Sequence, residues 1–146
     1  MELTALIYVS RSLVGSRSPE MDAIAETSQR KNQQRGLTGF LYYDDETFVQ
    51  ALEGPENEVR GLYRMIERDS RHDNVHMLHA HALRNRAFGG WAMGLYDGSV
   101  DGGLLRERFG GALYSRAREM DVPELMRFLR DLSVGRQDVY ALPSMA

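Results

Sequence analysis

The sequence predicts an α+β sandwich, with strands and helices in the order strand, helix, strand, strand, helix, strand, strand, and two further helices packed on the other face of the sheet. Three observations carry this expectation. From Gly36 to Gly54 an apolar run is interrupted by Asp44, Asp45 and Glu46 and then resumes with alternation, the pattern of a β-hairpin. Stretches with helical spacing of apolar residues lie on both sides of that hairpin, and the chain after Leu104 is too apolar to stand free on a surface.

In order, Leu3–Ser10 is a short apolar run that reads as a buried strand, with Leu6, Tyr8 and Ser10 on one face and Ala5, Ile7 and Val9 on the other. Arg11–Ser18 is a loop. Ser18 is an N-cap, Pro19 takes the first helical position, and Glu20 and Asp22 follow in the first turn of a helix that runs to about Gln34 and ends at Gly36. Its stripe of Met21, Ile24 and Ala25 turns polar at Ser28, Lys31 and Asn32, which means either that the stripe leaves the core or that these residues line a pocket with a polar ligand. In the second hairpin strand Phe48, Gln50 and Leu52 share a face, so the Gln50 amide needs a partner; a buried amide without one costs roughly 1–3 kcal/mol. Tyr8 poses the same demand.

Pro55 and Glu56 begin a second helix with the stripe Val59, Leu62, Tyr63 and Ile66, ending near Asp69; Asp69–His72 is a polar turn. Val75–Leu83 and Trp91–Tyr96 are the fourth and fifth strands, with Trp91 and Met93 on one face of the latter. The whole is a ferredoxin-like β-α-β-β-α-β-β sandwich. Leu104–Ala117 and Pro123–Ser133 are the two C-terminal helices covering the bare face of the sheet, and Asp101-Gly102-Gly103 is a hinge before them. The expected organisation is a domain over residues 1–100, a helical extension over 101–135 and a flexible tail over 136–146.

Composition narrows the function. With 146 residues and 42% hydrophobic content the chain makes one domain with a modest appendage. A net charge of −3 and scattered arginines give no nucleic-acid stripe, and Arg84 with Arg86 reads as a solvated strand end. The absence of cysteine removes disulfides, thiolate metal sites and cysteinyl photoadducts, and fits a reducing cytoplasm. No apolar run is long enough for a membrane span and no signal peptide is visible, so a cytoplasmic protein is expected. His76, His79 and His81 are split between two strand faces, and no metal-ligand spacing is present. The enzyme to weigh is a small hydrolase of the acylphosphatase type, with Arg11 or Arg17 in its phosphate loop; Asn32, on a helix, is misplaced for it.

Tyr8 in LIYVSRS, Asn32 before RGLTG, Gln50 in FVQALEG, the string Asp69-Ser70-Arg71-His72, and Trp91-Ala92-Met93 occur in one register and together closely resemble the BLUF family, sensors of blue light using FAD. The resemblance covers residues 3 to about 97. It implies a photoreceptor rather than an enzyme, with FAD between the two helices and Tyr8 and Gln50 as the photoactive pair. By position it also implies Asn32 on the polar edge of the ring, walls of Ile24, Leu41, Phe48 and Ile66, and contacts from Ser28, Lys31, Arg71 and His72. Excitation of the flavin would draw an electron and then a proton from Tyr8, and recombination would leave Gln50 rotated or tautomerised. Trp91 and Met93 would relay the change to the C-terminal helices.

One rearranged hydrogen bond is worth about 1 kcal/mol, against about 5.5 kcal/mol for a full two-state switch, so a partial population shift is expected. No effector domain is recognisable, and the output would pass to a partner protein or to the chain's own oligomer, for which Leu105 and Met126 offer exposed apolar positions.

Overall fold

A computed structural model describes residues 2–135. The tail expected over 136–146 lies outside the described residues. Five strands, β1 (Leu3–Ser12), β2 (Thr38–Tyr43), β3 (Thr47–Pro55), β4 (His72–Leu83) and β5 (Gly94–Asp97), form one sheet in the order β4-β1-β3-β2-β5. Every neighbouring pair is antiparallel except β2 and β5. Two helices follow the first and third strands: α1 (Pro19–Arg35) and α2 (Glu56–Glu67).

The local signals act as their chemistry requires. Ser18 is extended and its hydroxyl accepts from the Met21 N–H, while Gly36 closes α1 in the left-handed region at φ 69°. Asp44 closes the β2–β3 turn by accepting from the backbone N–H of Glu46 and Thr47 at 2.8 and 2.7 Å. Gly39 is needed for close approach, because a Cβ there would stand 2.2 Å from the Ala51 carbonyl oxygen.

Strand alternation sorts the core onto two faces. Leu6, Tyr8, Leu41, Phe48 and Leu52 pack with Met21 of α1 and with Val59 and Tyr63 of α2. Ile7, Val9, Phe40, Tyr42 and Val49 face the other way, against Leu105, Leu113, Leu125, Phe128 and Leu129. The C-terminal segment thus covers the second face, as its apolar composition demanded.

Several details depart from expectation. The segment 104–117 is not one helix: α3 (Leu104–Phe109) stops at Gly110, φ 83°, and a 3-10 segment (Leu113–Glu119) follows before α4 (Val122–Gly135). The glycine pair Gly110-Gly111 and the left-handed Ala112 break the run. Leu105 is only 2% exposed, so it is core and offers no surface for self-association, and Met126 packs against the same core. β4 begins at His72 rather than Val75, because β1 runs on to Ser12 and its last residues pair with Asp73 and His72. A bulge in β4 sets His76 opposite Val9 and His79 opposite Ile7, which puts these two histidines on one face instead of two. Among the described residues no group of three His, Asp or Glu side chains could hold a metal ion. No described helix is long and apolar enough to cross a membrane.

Candidate functional site

α1 and α2 lean over the sheet and leave between them a cleft of about 160 Å³. The sheet supplies its floor through Tyr8, Leu41, Phe48 and Gln50. α1 contributes Ile24, Ser28, Lys31 and Asn32, α2 contributes Ile66, and Arg71 and His72 close the end. All of the cleft residues expected from the sequence therefore meet in one place. Thr27, Leu62, Met65 and Asp69 join them unexpectedly. Thr27 was within reach, since it falls three residues after Ile24 on the same helical stripe. Leu62, on the α2 stripe with Val59, Tyr63 and Ile66, packs against the core and also lines the cleft beside Ile66.

At the floor, antiparallel register sets Tyr8 directly opposite Gln50. The Tyr8 hydroxyl donates to Gln50 Oε1 at 2.5 Å. Both residues are at most 4% exposed. Burial, with smaller effects from Tyr63 and Asp69, pushes the Tyr8 phenol far above its ordinary range, so it is a proton donor at any physiological pH. The Gln50 Nε2 donates to Met93 Sδ at 3.5 Å, a weak bond because a thioether is a poor acceptor.

Asn32 is 1% exposed and donates from Nδ2 to the Ala92 carbonyl at 2.9 Å. Its Oδ1 is the one buried side-chain oxygen or nitrogen among the described residues without a hydrogen-bond partner. Gln29, one turn earlier on α1 and outside the polar stripe of Ser28, Lys31 and Asn32, donates to the Met93 carbonyl at 3.3 Å.

His72 lies beside the pair, edge-on to the Tyr8 ring with centroids 6.2 Å apart. Its Nε2 is 2.6 Å from the Ile66 carbonyl, which can only accept, so Nε2 carries the proton. In the neutral ring Nδ1 then accepts from the Ser10 hydroxyl at 2.7 Å. Arg71 forks onto Asp69, which holds that carboxyl below the usual carboxylate range and raises the guanidinium. Tyr63 packs its ring 5.7 Å from Tyr8 and is pushed up to about 12, chiefly by burial.

Trp91 and Met93 do not share a face. The segment before β5 is not a regular strand: Met93 is fully buried on the cleft side against Gln50, whereas Trp91 packs against the core under the C-terminal helices. Gly94 makes the crossing of this segment over Phe40 feasible, since a Cβ there would meet the Phe40 ring at 2.6 Å. Of the two, Met93 is the residue next to Gln50.

The hydrolase alternative loses its arginines. Arg11 lies in β1 and forks onto Asp73, and Arg17 is mostly exposed at 4.0 Å from Asp97, so neither forms a phosphate loop with the other.

Comparison with known proteins decides the family. Residues 3–94 match the family model described as BLUF, sensors of blue-light using FAD. The chain belongs to the BLUF family. Among curated proteins, this BLUF chain is 37% identical over 86 residues to the photoactivated adenylate cyclase subunit beta of Euglena gracilis, covering 59% of the chain and 10% of the relative. It is 36% identical over 95 residues to the blue light- and temperature-regulated antirepressor BluF of Escherichia coli (strain K12), covering 65% of the chain and 24% of the relative. The chain therefore spans between a tenth and a quarter of these two relatives.

Among solved structures, the dark state of the BLUF protein BlrB superposes with a TM-score of 0.70 at 30% identity, covering 88% of this chain and 96% of that one. The photo-activated state of BlsA shares the fold at a TM-score of 0.74 and 24% identity, covering 94% and 98%. These likenesses support the ferredoxin-like sandwich and leave the hydrolase without support.

Proposed function

We propose that this BLUF domain holds FAD in the cleft between α1 and α2 and reports blue light through the Tyr8–Gln50 hydrogen bond. The observation that carries the reading is Asn32 Oδ1, a buried acceptor with no partner from the protein, in a cleft that also offers the apolar side chains of Ile24, Leu41, Phe48, Leu62 and Ile66. A buried acceptor left unpaired costs about 1–3 kcal/mol, and a flavin ring, with apolar faces and an N–H on its polar edge, removes that cost. Asn32 and Gln50 hold the polar edge in this reading; Ile24, Leu41, Phe48 and Ile66 form the walls; Ser28, Lys31, Arg71 and His72 complete the rim, with Lys31 and Arg71 supplying positive charge for the phosphates.

When bound, the flavin supplies absorption of blue light and an excited state that takes up an electron. The protein's part is the path for the proton that follows. A Tyr8 phenol that loses an electron becomes a strong acid, and Gln50 Oε1 is the acceptor already in place at 2.5 Å. Gln50 is free to respond, because its other contact is only the weak bond to Met93 Sδ. Rotation of the amide would bring Nε2 to the Tyr8 oxygen and Oε1 to Met93, which has no proton to donate. Met93 is therefore the neighbour whose contact with the pair must change.

From Met93 the chain enters β5, where the Tyr96 hydroxyl donates to Asp101 at 2.8 Å, and Asp101 in turn caps the start of α3 through the N–H groups of Gly103 and Leu104. This gives a continuous covalent and hydrogen-bonded route to the C-terminal helices, the surface we assign to the output. The receiver is a partner protein or a second copy of the chain.

The test is spectroscopic. The purified protein should carry flavin, and blue light should shift its absorption band reversibly to the red. Protein that takes up no FAD from solution would contradict the reading.

A further inference from the structure

The buried carboxylate of Glu53 has no place in the photochemistry above. It is 1% exposed and sits three residues beyond Gln50 on β3. One oxygen accepts from the Ala87 N–H at 2.6 Å, and the other from the Phe88 N–H at 2.9 Å and the Thr38 hydroxyl at 3.1 Å. Phe88, 1% exposed, stacks on Phe40 at 5.6 Å. Arg86 seals the same loop from outside, donating to the Thr38 hydroxyl, the Glu53 carbonyl and the Gly36 carbonyl. The far end of the loop is held by Asn32 and Gln29 on the carbonyls of Ala92 and Met93. The segment 86–93 is thus pinned at one end by Glu53 and at the other by α1 residues beside the cleft.

We infer that Glu53 is a positioning residue that latches this segment in the register placing Met93, and not Trp91, against Gln50. Bringing Trp91 to that place means sliding the segment by two residues, about 7 Å at strand spacing. The slide is blocked while the N–H groups of Ala87 and Phe88 are bound to a buried carboxylate and the Phe88 ring is stacked. A carboxylate suits this task because it accepts several N–H and O–H donors at once, and bonds to a charged acceptor are stronger than neutral ones. Glu53 and Arg86 also line a groove shared with Pro123 and Met126 of α4, so release of the latch is felt at the C-terminal helices. The consequence for light sensing rests on the FAD reading above; the latch itself does not.

Trp91 is the only tryptophan of the chain, so its emission reports the segment without a label. The fluorescence lifetimes of Trp91 are compared in the wild type, Glu53→Gln and Arg86→Met, first flavin-free and then FAD-loaded in the dark. Glu53→Gln should add a second Trp91 population, changing the ratio of the two placements about tenfold, and Arg86→Met should move it the same way by less. In FAD-loaded protein the return to darkness after a blue flash should change in rate in the same variants. Should Glu53→Gln fail to fold, Arg86→Met, whose side chain is partly exposed, decides. Lifetimes identical to the wild type in the folded variants overturn the latch, and a redistributed Trp91 with an unchanged dark-return rate upholds the latch but overturns its consequence for light sensing. A wild type that takes up no FAD would sink the functional reading, while the flavin-free lifetimes would still judge the latch.

Discussion

The two faces of the sheet are built from the same five strands and are equally apolar at their centres, yet they treat their polar groups in opposite ways. On the C-terminal side, Tyr42 and Tyr96 stack at 6.0 Å and send their hydroxyls to the rim, where Asp44 and Asp101 accept them at 2.8 Å. On the cleft side, Tyr8 and Gln50 turn inward to each other, and Asn32 keeps an oxygen with no protein partner. One face is complete as folded. The other leaves one buried acceptor, Asn32 Oδ1, for a partner that we propose is the flavin. The difference separates stability from function by face, and substitutions can test that separation.

The largest effect should come from the completed face. Phe128 is 2% exposed and packs on both Phe109 and Tyr42, so Phe128→Ala should cost about 3–5 kcal/mol in denaturant unfolding. FAD affinity of the folded fraction should be nearly unchanged. A comparable loss of affinity would show that the two faces are not separate.

Asn32→Ala should show the reverse pattern. Loss of its amide should weaken FAD binding by about 1–3 kcal/mol, a factor of roughly 5 to 150 in Kd by titration. The stability of the flavin-free chain should change less than that, because the lost bond to the Ala92 carbonyl is offset by removal of an unpaired buried oxygen.

Alkaline pH sharpens the comparison, since buried phenols lie on both faces. Tyr8, Tyr42 and Tyr63 are all raised in the folded state, first by burial. A raised acid binds its proton more tightly when folded, so stability is intact below the ordinary phenol range near pH 10 and falls as pH rises above it. Tyr63→Phe should reduce that fall by about one proton's worth of slope between pH 10 and about 12.

The smallest effect belongs to the rim. Asp69 is held low by the Arg71 hydrogen bonds, so its contribution is present above the ordinary carboxylate range near pH 4 and is lost as pH falls through its lowered value. Both partners are about a third exposed, and Arg71→Met should lower neutral-pH stability by less than about 1 kcal/mol while flattening the acid limb of the stability curve.

Sequence and structure agree where the signal is local or periodic. Ser18, Pro19 and Gly36 delimit α1 by capping chemistry, and period-2 alternation groups Tyr8 with Leu6 and Gln50 with Phe48 and Leu52, as observed, while their meeting in one cleft is implied only by the family resemblance. They part where the outcome depends on neighbours far along the chain. The bulge that turns His76 onto the face of His79 answers to the pairing with β1, and strand alternation alone could not show it. Alternation predicts Trp91 and Met93 on one face only for a regular strand; β5 begins at Gly94, and the loop held by Glu53 and the close crossing at Gly94 break that regularity. Leu105 is expected as an exposed apolar position, yet it lies in the core with Leu113, on the other side of the break at Gly110.

The claim on which the account turns is that the phenol proton of Tyr8 is given to Gln50 when light is absorbed. The direct measurement is the light-minus-dark absorption difference of FAD-loaded Tyr8→Phe beside the wild type. The account predicts that the variant still binds FAD, since a phenyl ring fills the same space, and that its red shift is absent. A Tyr8→Phe protein that shifts to the same extent as the wild type would contradict it.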